Sequence, residues 1–289
     1  MPRWRCWRRD WRPTTSRRDC RGRSSSRCSA VRETRTLDVK AALAAYYTRY
    51  YRDTLGIPAW REFVAVRLDD VAYERQRLVA LERAVGPIRG RRLLNVGCGT
   101  GGFNVLAEEA GAEVWGVDES GAAVTIARAR MRHGERALPA MAETLPFPDA
   151  SFDLVYCYAA IEHVEDARRS LREMVRVMRP DAGLYLHTNN RWSCFEGHYK
   201  VFWMPWLPAV LARLYLALRG RPTAYLATLR PLSRRQCLRL LDEAGGRVLR
   251  DVDQGDGRPV GGPLWPLVRL YYRLFGVRPY IEFLAGARR

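Results

Sequence analysis

A glycine-rich turn at residues 97–102 is the part of this chain whose residue types and spacing point most directly to chemistry. It follows the apolar run Leu93-Leu94-Asn95-Val96 and reads Gly-Cys-Gly-Thr-Gly-Gly. Glycine has no Cβ, so such a turn can adopt positive φ and bring backbone N–H groups close to a ligand, and the start of a following helix offers further unpaired N–H groups. The spacing therefore predicts a cradle for a nucleotide-type cofactor that contains adenosine.

Asp118 supplies a second chemical signal, because it lies 21 residues after Gly97 and ends the strand-like run 112–117. A carboxylate at this position can accept hydrogen bonds from both hydroxyls of a ribose. Gly97, Gly99 and Gly102 also match the G-x-G-x-x-G fingerprint of dinucleotide sites. A ribose carboxylate serves NAD and S-adenosylmethionine (SAM) equally well, so these residues alone leave hydride transfer and methyl transfer both open.

Two later segments resemble the class I SAM-dependent methyltransferases, in particular the methyltransferase type 11 group that includes the ubiquinone and menaquinone C-methyltransferases. Residues 142–155, AETLPFPDASFDLV, correspond to the family's A-E-x-L-P-F-x-D-x-S-F-D segment, and Glu162-His163 corresponds to its E-H turn. The resemblance covers about residues 90–190. Three ordered motifs together are much more specific than any one of them, so the resemblance implies a SAM-dependent enzyme.

The resemblance also implies which residues bind SAM. The glycines would line its methionine and ribose side, Asp118 would hold the ribose hydroxyls, and residues 142–143 would lie near adenine. Two positions depart from the family pattern, since Asn95 stands where an acid is common and Met141 replaces an adenine-side acid. Asn95 can still hydrogen-bond, and the Met141 thioether can pack against adenine. The implied cofactor-binding residues are Asn95, Gly97, Cys98, Gly99, Gly101, Asp118, Ala142 and Glu143.

His163 is the candidate catalytic residue, as a general base for a hydroxyl acceptor, because imidazole titrates near neutrality. The alternative is that the Glu162-His163 pair only caps and orients the backbone. A sulfonium donor mainly requires alignment and exclusion of water, so no catalytic residue is obligatory. Glu196 and His198 form a second polar pair on the expected acceptor side. Two such residues do not by themselves predict a metal site, and no metal is expected.

The elements that must position these residues alternate between strand and helix from residue 92 onward. This alternation predicts an α/β fold with a Rossmann-like, doubly wound parallel sheet. The resemblance implies the seven strands of the class I methyltransferase sheet, the last of them antiparallel. The predicted strands are 92–96, 113–117, 136–140, 153–158, 182–188, 247–252 and 280–284, and the predicted helices are 102–110, 120–132, 165–178 and 235–244.

Two further helices, 39–51 and 60–84, are predicted ahead of the first strand, so that residues 37–88 precede a SAM-binding domain at 89–289. The first of these helices carries an aromatic face, which serves either packing or contact with a substrate. The insertion 190–232 is too apolar for a solvated loop and predicts a helical lid over the site. The tyrosines of the aromatic face are Tyr46, Tyr47, Tyr50 and Tyr51.

The net charge of +18 is concentrated in residues 1–36, where twelve arginines and three acidic residues give a net charge of +9. Residues 1–36 show no apolar periodicity, which predicts a disordered basic tail. A basic arm with interleaved tryptophans could bind nucleic acid, but no recognition fold accompanies it, and nucleic acid is not the favoured partner. The seven cysteines include no C-x-x-C pair, which argues against structural zinc and a disulfide scaffold and favours the cytoplasm.

The insertion and the run 263–275 combine Trp, Tyr and Leu with Arg, as helices at a membrane interface do. Neither reaches the roughly 20 uninterrupted apolar residues that span a bilayer. Burial of the same side chains in a lid and a core helix is the favoured interpretation, and peripheral contact at the inner face of the membrane stays open.

The sequence therefore predicts SAM-dependent methyl transfer to a small-molecule or lipid-like acceptor, with no signal for an obligate protein partner. The alternative is a noncatalytic SAM-binding or membrane-associated protein that retains the methyltransferase fold. The departures at Asn95 and Met141 keep this alternative open.

Overall fold

A seven-stranded sheet forms the centre of the computed structural model, which describes residues 37–252 and 264–288. The basic tail predicted at 1–36 lies outside the described residues. The strand order is β3-β2-β1-β4-β5-β9-β8. The strands are β1 Arg92–Val96, β2 Glu113–Asp118, β3 Ala137–Pro139, β4 Phe152–Tyr158, β5 Met178–Asn189, β8 Gly246–Asp251 and β9 Tyr280–Ala287, and β6 Phe195–Glu196 and β7 Val201–Phe202 form a separate hairpin.

The strand directions confirm the predicted doubly wound α/β fold. Strands β1 to β5 pair in parallel, whereas β9 runs antiparallel to both β5 and β8. Helices connect β1 to β2, β2 to β3 and β4 to β5, and a loop at residues 140–151 connects β3 to β4. Parallel strands require such crossover connections. The helices that follow β1 are α4 Gly102–Glu109, α5 Gly121–Arg130, α6 Ala167–Val177, α7 Ala209–Leu218, α8 Arg234–Glu243 and α9 Trp265–Phe275.

Helices cover both faces of the sheet, which explains the near-continuous apolar sequence of β1. On one face, Leu94 packs in the same buried cluster as Leu171 of α6. On the other face, Leu93 packs with Phe103 of α4 and Val124 of α5. Because β1, β2 and β4 run parallel, their carboxyl ends meet at one edge of the sheet. This edge carries the glycine turn.

Between residue 37 and β1, three helices form, because the segment predicted as one helix at 60–84 is broken at Asp69–Asp70. The helices are α1 Val39–Thr48, which continues through a π-helical turn, then α2 Trp60–Leu68 and α3 Val71–Val85. The Asp70 carboxylate is 5% exposed and pairs with Arg130 of α5. Aspartate favours the start of a helix over its interior, and the ion pair with Arg130 holds the chain at this break. The spacing of apolar residues along the sequence gives no sign of such an ion pair.

The insertion after β5 and the N-terminal helices share a third hydrophobic cluster, which we call the cap core. Its buried residues come from the π-helical turn, from the loop after it, from α2, and from β6–β7 and α7 of the insertion. The insertion is thus packed on the N-terminal helices. The buried members of the cap core are Tyr51, Leu55, Ile57, Val64, Tyr199, Val201 and Leu216.

Helices α7 and α9 leave most of their apolar residues in solvent, contrary to the favoured expectation of burial. Helix α9 buries Val268 but exposes Leu274 and Phe275, each at 70%. Helix α7 likewise exposes Val210 and Leu218. Over the described parts of the chain, none of the helices combines the length and hydropathy needed to cross a bilayer.

Candidate cofactor and acceptor site

The glycine turn connects β1 to α4 and has the backbone geometry that the sequence predicts. Gly97, Gly99 and Gly101 have φ values of +78°, +53° and +79°. A Cβ added to Gly97 would overlap the Cβ of Ala160, and one added to Gly101 would lie 2.9 Å from the Cβ of Ala127. A Cβ on Gly99 would meet nothing within 4 Å. The turn is therefore tightly packed at Gly97 and Gly101 and open at Gly99, where a ligand can approach the backbone.

Asp118 ends β2 directly beside this turn. Its Oδ2 accepts a hydrogen bond of 2.8 Å from the Gly99 N–H, and its Oδ1 accepts one of 2.9 Å from the Ser120 N–H. Burial raises the pKa of Asp118, whereas these two backbone hydrogen bonds act to lower it. Each carboxylate oxygen has a further lone pair for a ribose hydroxyl. The open turn and this carboxylate together fit the ribose and methionine parts of SAM.

A network that the sequence did not reveal ties the turn to the N-terminal helices. Arg130 donates to both oxygens of Asp70, at 2.8 and 2.9 Å, and also to the backbone oxygen of Thr100 at 3.1 Å. The Thr100 hydroxyl lies 2.8 Å from the hydroxyl of Tyr47. The turn is thus held by α5 and by α1, and only the three-dimensional fold brings these residues together.

Tyr46 directly precedes Tyr47 on the aromatic face of α1 and lies near Asp118. Burial raises the pKa of Tyr46 to about 12, and the charge of Asp118 contributes to this rise. Tyr51 instead belongs to the cap core. The structure thus divides the aromatic face between the edge of the site and packing.

Two predicted cofactor residues lie beneath the turn. The Asn95 side chain is 3% exposed and donates a 2.7 Å hydrogen bond to the side-chain oxygen of Asn104 in α4. Cys98 is buried against Gly116 of β2, and burial raises the pKa of its thiol well above the ordinary value. Both residues support the turn from inside, and Cys98 is a neutral thiol.

The predicted adenine side, residues 141–143, forms a loop after β3. Met141 is 44% exposed, so its side chain is available to a ligand. The buried Glu143 carboxylate accepts hydrogen bonds from the backbone N–H groups of Glu165 and Asp166, at 2.8 and 3.2 Å. Glu143 therefore anchors the loop to the start of α6, and Ala142 can offer its backbone to adenine.

His163 lies in the turn after β4, near the glycine turn, because Ala160 of the same turn packs against Gly97. The insertion brings His198 to it, with the two imidazole centroids 4.9 Å apart at an interplanar angle of 80°. Tyr225 covers this pair, with its centroid 6.0 Å from that of His163 and 5.8 Å from that of His198. The Tyr225 hydroxyl also lies 3.2 Å from that of Tyr50.

The two histidines differ in their electrostatic environments. Burial and, to a smaller extent, the charge of His198 lower the pKa of His163 to about 4, and the charge of Glu196 acts in the opposite direction. Burial also opposes the charged form of His198, but the hydrogen bond and charge of Glu196 outweigh it and raise the pKa. Glu196 Oε1 lies 2.8 Å from His198 Nδ1. The predicted Glu196–His198 pair thus exists and faces His163.

Glu162 lies beside His163 and His198, and the sequence analysis did not predict that these three residues come together. Its carboxylate is 1% exposed and accepts hydrogen bonds from Thr188 and Asn189 at the end of β5. Donor atoms of Glu162, His163 and His198 lie within 4.8 Å of one another. The edge of the sheet therefore combines an open cofactor turn with a neighbouring cluster of imidazole, carboxylate and phenol groups.

Comparison with known proteins agrees with this geometry. Residues 94–186 match the family described as "Methyltransferase domain" (Methyltransf_11). The chain is 30% identical to O-methyltransferase resE of Aspergillus sclerotiorum over 206 residues, which cover 66% of this chain and 71% of the relative. It is 36% identical to the demethylmenaquinone methyltransferase of Clavibacter sepedonicus over 104 residues, which cover 35% of this chain and 42% of that one. For most of the curated relatives that it matches, the chain spans about half of the relative's length.

A solved structure shares the fold. The geranyl diphosphate C-methyltransferase from Streptomyces coelicolor A3(2), solved with Mg²⁺, geranyl diphosphate and S-adenosyl-L-homocysteine, superimposes with a TM-score of 0.51 at 16% identity. The match covers 88% of this chain and 99% of that chain. At this level of identity the likeness concerns the fold alone.

Proposed function

Since this chain belongs to the class I SAM-dependent methyltransferases of the Methyltransf_11 family, we propose that it transfers the methyl group of SAM to an oxygen of a small-molecule or lipid-like acceptor. The observation that carries this proposal is the open face of Gly99 beside the Asp118 carboxylate, near the side-chain cluster that contains His163. An oxygen acceptor is favoured because the relative with the longest coverage given above is named an O-methyltransferase.

Residues of this chain would hold SAM in three places. Asp118 would accept hydrogen bonds from the ribose hydroxyls, the backbone of Gly97, Gly99 and Gly101 would line the ribose and methionine parts, and Ala142 would contact adenine. Asn95, Cys98 and Glu143 would shape this site from beneath. The bound sulfonium supplies an electrophilic methyl group.

The protein's contribution to methyl transfer would be alignment and exclusion of water. The hydroxyls of Tyr50 and Tyr225 lie 3.2 Å apart on the side of the cap core, and Tyr225 packs beside His163. His163 would contact the acceptor oxygen and orient it toward the methyl group. The insertion and the N-terminal helices, which share the cap core, would determine which acceptors enter.

Incubation with methyl-labelled SAM tests the proposal. A metabolite or lipid extract incubated with the protein is expected to gain a labelled methyl group, detected by mass spectrometry, together with release of S-adenosylhomocysteine. Calorimetric SAM binding with neither label transfer nor S-adenosylhomocysteine release would contradict the enzymatic proposal and favour a noncatalytic SAM-binding protein.

We further infer that the exposed faces of α7 and α9 contact an anionic lipid surface. Trp206 precedes α7 and packs on Tyr271 of α9, with 5.8 Å between ring centroids. A cleft of about 990 Å³ beside them is lined by these two rings and Phe275, and by Arg234 and Arg278 among other residues. Exposed apolar side chains next to arginines are typical of helices that lie in a membrane interface.

Sedimentation with vesicles tests this inference. The protein is expected to sediment with phosphatidylglycerol vesicles more than with phosphatidylcholine vesicles, and Leu274→Glu is expected to reduce the bound fraction. Val79→Glu is the matched control, because Val79 is also an exposed apolar helical residue but lies on α3. Full recovery of the unmodified protein in the supernatant would contradict lipid contact.

A further inference from the structure

Three side chains with metal-ligating atoms converge on the acceptor side of the site. One donor atom each from Glu162, His163 and His198 lies within 4.8 Å of the other two. We propose that these residues bind a divalent transition-metal cation of the Zn²⁺ class. The binding site stands on this geometry alone, whereas its use in catalysis rests on the proposed methyl transfer.

The Glu162 carboxylate is held in a buried position. The residue is 1% exposed, and its carboxylate accepts hydrogen bonds from the Thr188 hydroxyl at 2.7 Å and the Asn189 amide at 3.4 Å. Both donors are neutral, and a buried carboxylate is stabilised mainly by a cation or by strong hydrogen bonds. The positive charge that faces Glu162 is that of protonated His198, and a divalent cation between Glu162 and the two imidazoles would take the place of that proton.

A carboxylate fixes the orientation of the His198 ring. Its Nδ1 lies 2.8 Å from Glu196 Oε1, and Glu196 Oε2 accepts a 2.6 Å hydrogen bond from the Tyr199 N–H. Metal-binding histidines commonly donate their second ring N–H to a carboxylate, which fixes the ring and its tautomer. This arrangement leaves Nε2 of His198 for coordination and gives Glu196 the role of a positioning residue.

His163 is half-buried, and the hydrogen bonds among the described residues do not use its ring nitrogens, so these atoms are free to bind a ligand. Its neighbour in the cluster is the His198 ring, at 80° to its own. An imidazole with free ring nitrogens, beside a second imidazole and a carboxylate, can share a metal ion with them.

The donor set favours zinc-like cations over Mg²⁺ and Ca²⁺, because imidazole is a borderline ligand and Mg²⁺ and Ca²⁺ prefer oxygen. Tetrahedral Zn²⁺ with bonds of about 2.0–2.2 Å places its ligand atoms about 3.3–3.6 Å apart. Side-chain rotations that move each donor atom by about an ångström would bring the three donors to this separation. Three protein ligands leave a fourth position open, as in catalytic zinc sites.

An open position next to Tyr225 gives the cation a function in the proposed reaction. The cation lowers the pKa of an acceptor hydroxyl that approaches it, and the hydroxyl proton leaves to water. The oxygen then forms a bond to the SAM methyl carbon while the bond from carbon to sulfur breaks, which leaves neutral S-adenosylhomocysteine. His163 would then act as a metal ligand, in place of the general-base role that the sequence suggested.

Titration of the metal-free full-length protein with Co²⁺ and Zn²⁺ tests the proposal without SAM or an acceptor. Calorimetry is expected to show one Zn²⁺ site, and Co²⁺ is expected to give the visible absorption of nitrogen and oxygen ligands without near-ultraviolet thiolate charge transfer. His198→Ala and Glu162→Gln are expected to weaken Zn²⁺ binding at least tenfold, and Glu196→Gln by about 10- to 100-fold. Glu162→Gln retains a side chain that can accept from Thr188, so it keeps the test valid if an alanine variant unfolds.

His133→Ala is the matched control, because His133 is an exposed histidine of the α5–β3 connection and is expected to leave Zn²⁺ affinity unchanged. The absence of Zn²⁺ binding, equal affinity in folded Glu162→Gln, or a Co²⁺ spectrum of thiolate ligands would overturn the proposal. Zinc binding without methyl transfer would leave the metal site standing and contradict the proposed function instead.

Discussion

The open side of Gly99 yields the sharpest prediction about the cofactor site. Gly99 has a φ of +53°, and a Cβ there would meet nothing of the protein within 4 Å. Gly99→Ala therefore adds a methyl group to the space assigned to SAM without a clash inside the protein. The perturbation separates ligand contact from folding, since the only cost to the fold is the positive φ.

Gly99→Ala is expected to change both the folding stability and the affinity for SAM. An alanine in a left-handed conformation costs about 1–2 kcal/mol of folding stability. An extra methyl group in a fitted site costs about 1–3 kcal/mol, which corresponds to about 5- to 150-fold weaker SAM binding. We therefore expect Gly99→Ala to remain folded, with a melting temperature lowered by a few degrees, and to lose SAM affinity by this factor in isothermal titration calorimetry.

Gly90→Ala provides the control. Gly90 has a φ of +74°, its Cβ would also meet nothing within 4 Å, and it lies in the turn before β1, away from the carboxyl edge of the sheet. We expect the same loss of thermal stability and unchanged SAM affinity. Equal SAM affinities for Gly99→Ala and the unmodified protein, or equal losses in both variants, would refute the placement of SAM against Gly99.

Three further outcomes are expected. Asp118→Ala should weaken SAM binding by about 1–3 kcal/mol through the loss of charge-assisted hydrogen bonds, and unchanged affinity in the folded variant would count against the ribose role. Burial raises the pKa of Asp118, so its carboxylate becomes protonated as the pH decreases through this raised pKa. SAM affinity measured by calorimetry should therefore be constant in alkaline buffer and fall in this range. Tighter binding in acid would contradict this expectation. Arg130→Ala leaves the Asp70 carboxylate buried without its partner and should lower the free energy of unfolding by about 3–5 kcal/mol, whereas Arg213→Ala on the surface of α7 should change it by less than about 0.5 kcal/mol in urea titrations.

The parts of the site that could be predicted from the sequence are those encoded locally. The apolar run of β1, the glycines that follow it and Asp118 at the end of β2 occur within one β-α-β unit, so spacing along the chain is enough to place them. The Glu196–His198 pair is local in the same way, because its members are two residues apart and hydrogen-bond within one hairpin.

The parts that could not be predicted depend on contacts between distant segments. Asp70 and Arg130 are 60 residues apart, and their ion pair decides where α2 ends and α3 begins. Glu162 reaches His198 only because the hairpin of the insertion folds back over the turn after β4. A pair of polar residues in each segment carries no metal signal until the fold joins them.

The exposed helices illustrate a different limit. Amphipathic spacing in α7 and α9 shows that one face is apolar, but it cannot show what covers that face. In the structure, Leu216 of α7 enters the cap core while Leu218 stays in solvent. Which apolar residues are covered is thus decided by the packing of the insertion on the N-terminal helices.

A crystal of the protein soaked with S-adenosylhomocysteine would show whether the cofactor binds at Gly99 and Asp118. We expect density in the crevice at the carboxyl ends of β1 and β2, with both ribose hydroxyls within hydrogen-bond distance of Asp118 and the ligand in contact with the backbone of Gly99. An empty crevice at saturating ligand, or a ligand whose ribose lies away from Asp118, would contradict this placement of the cofactor.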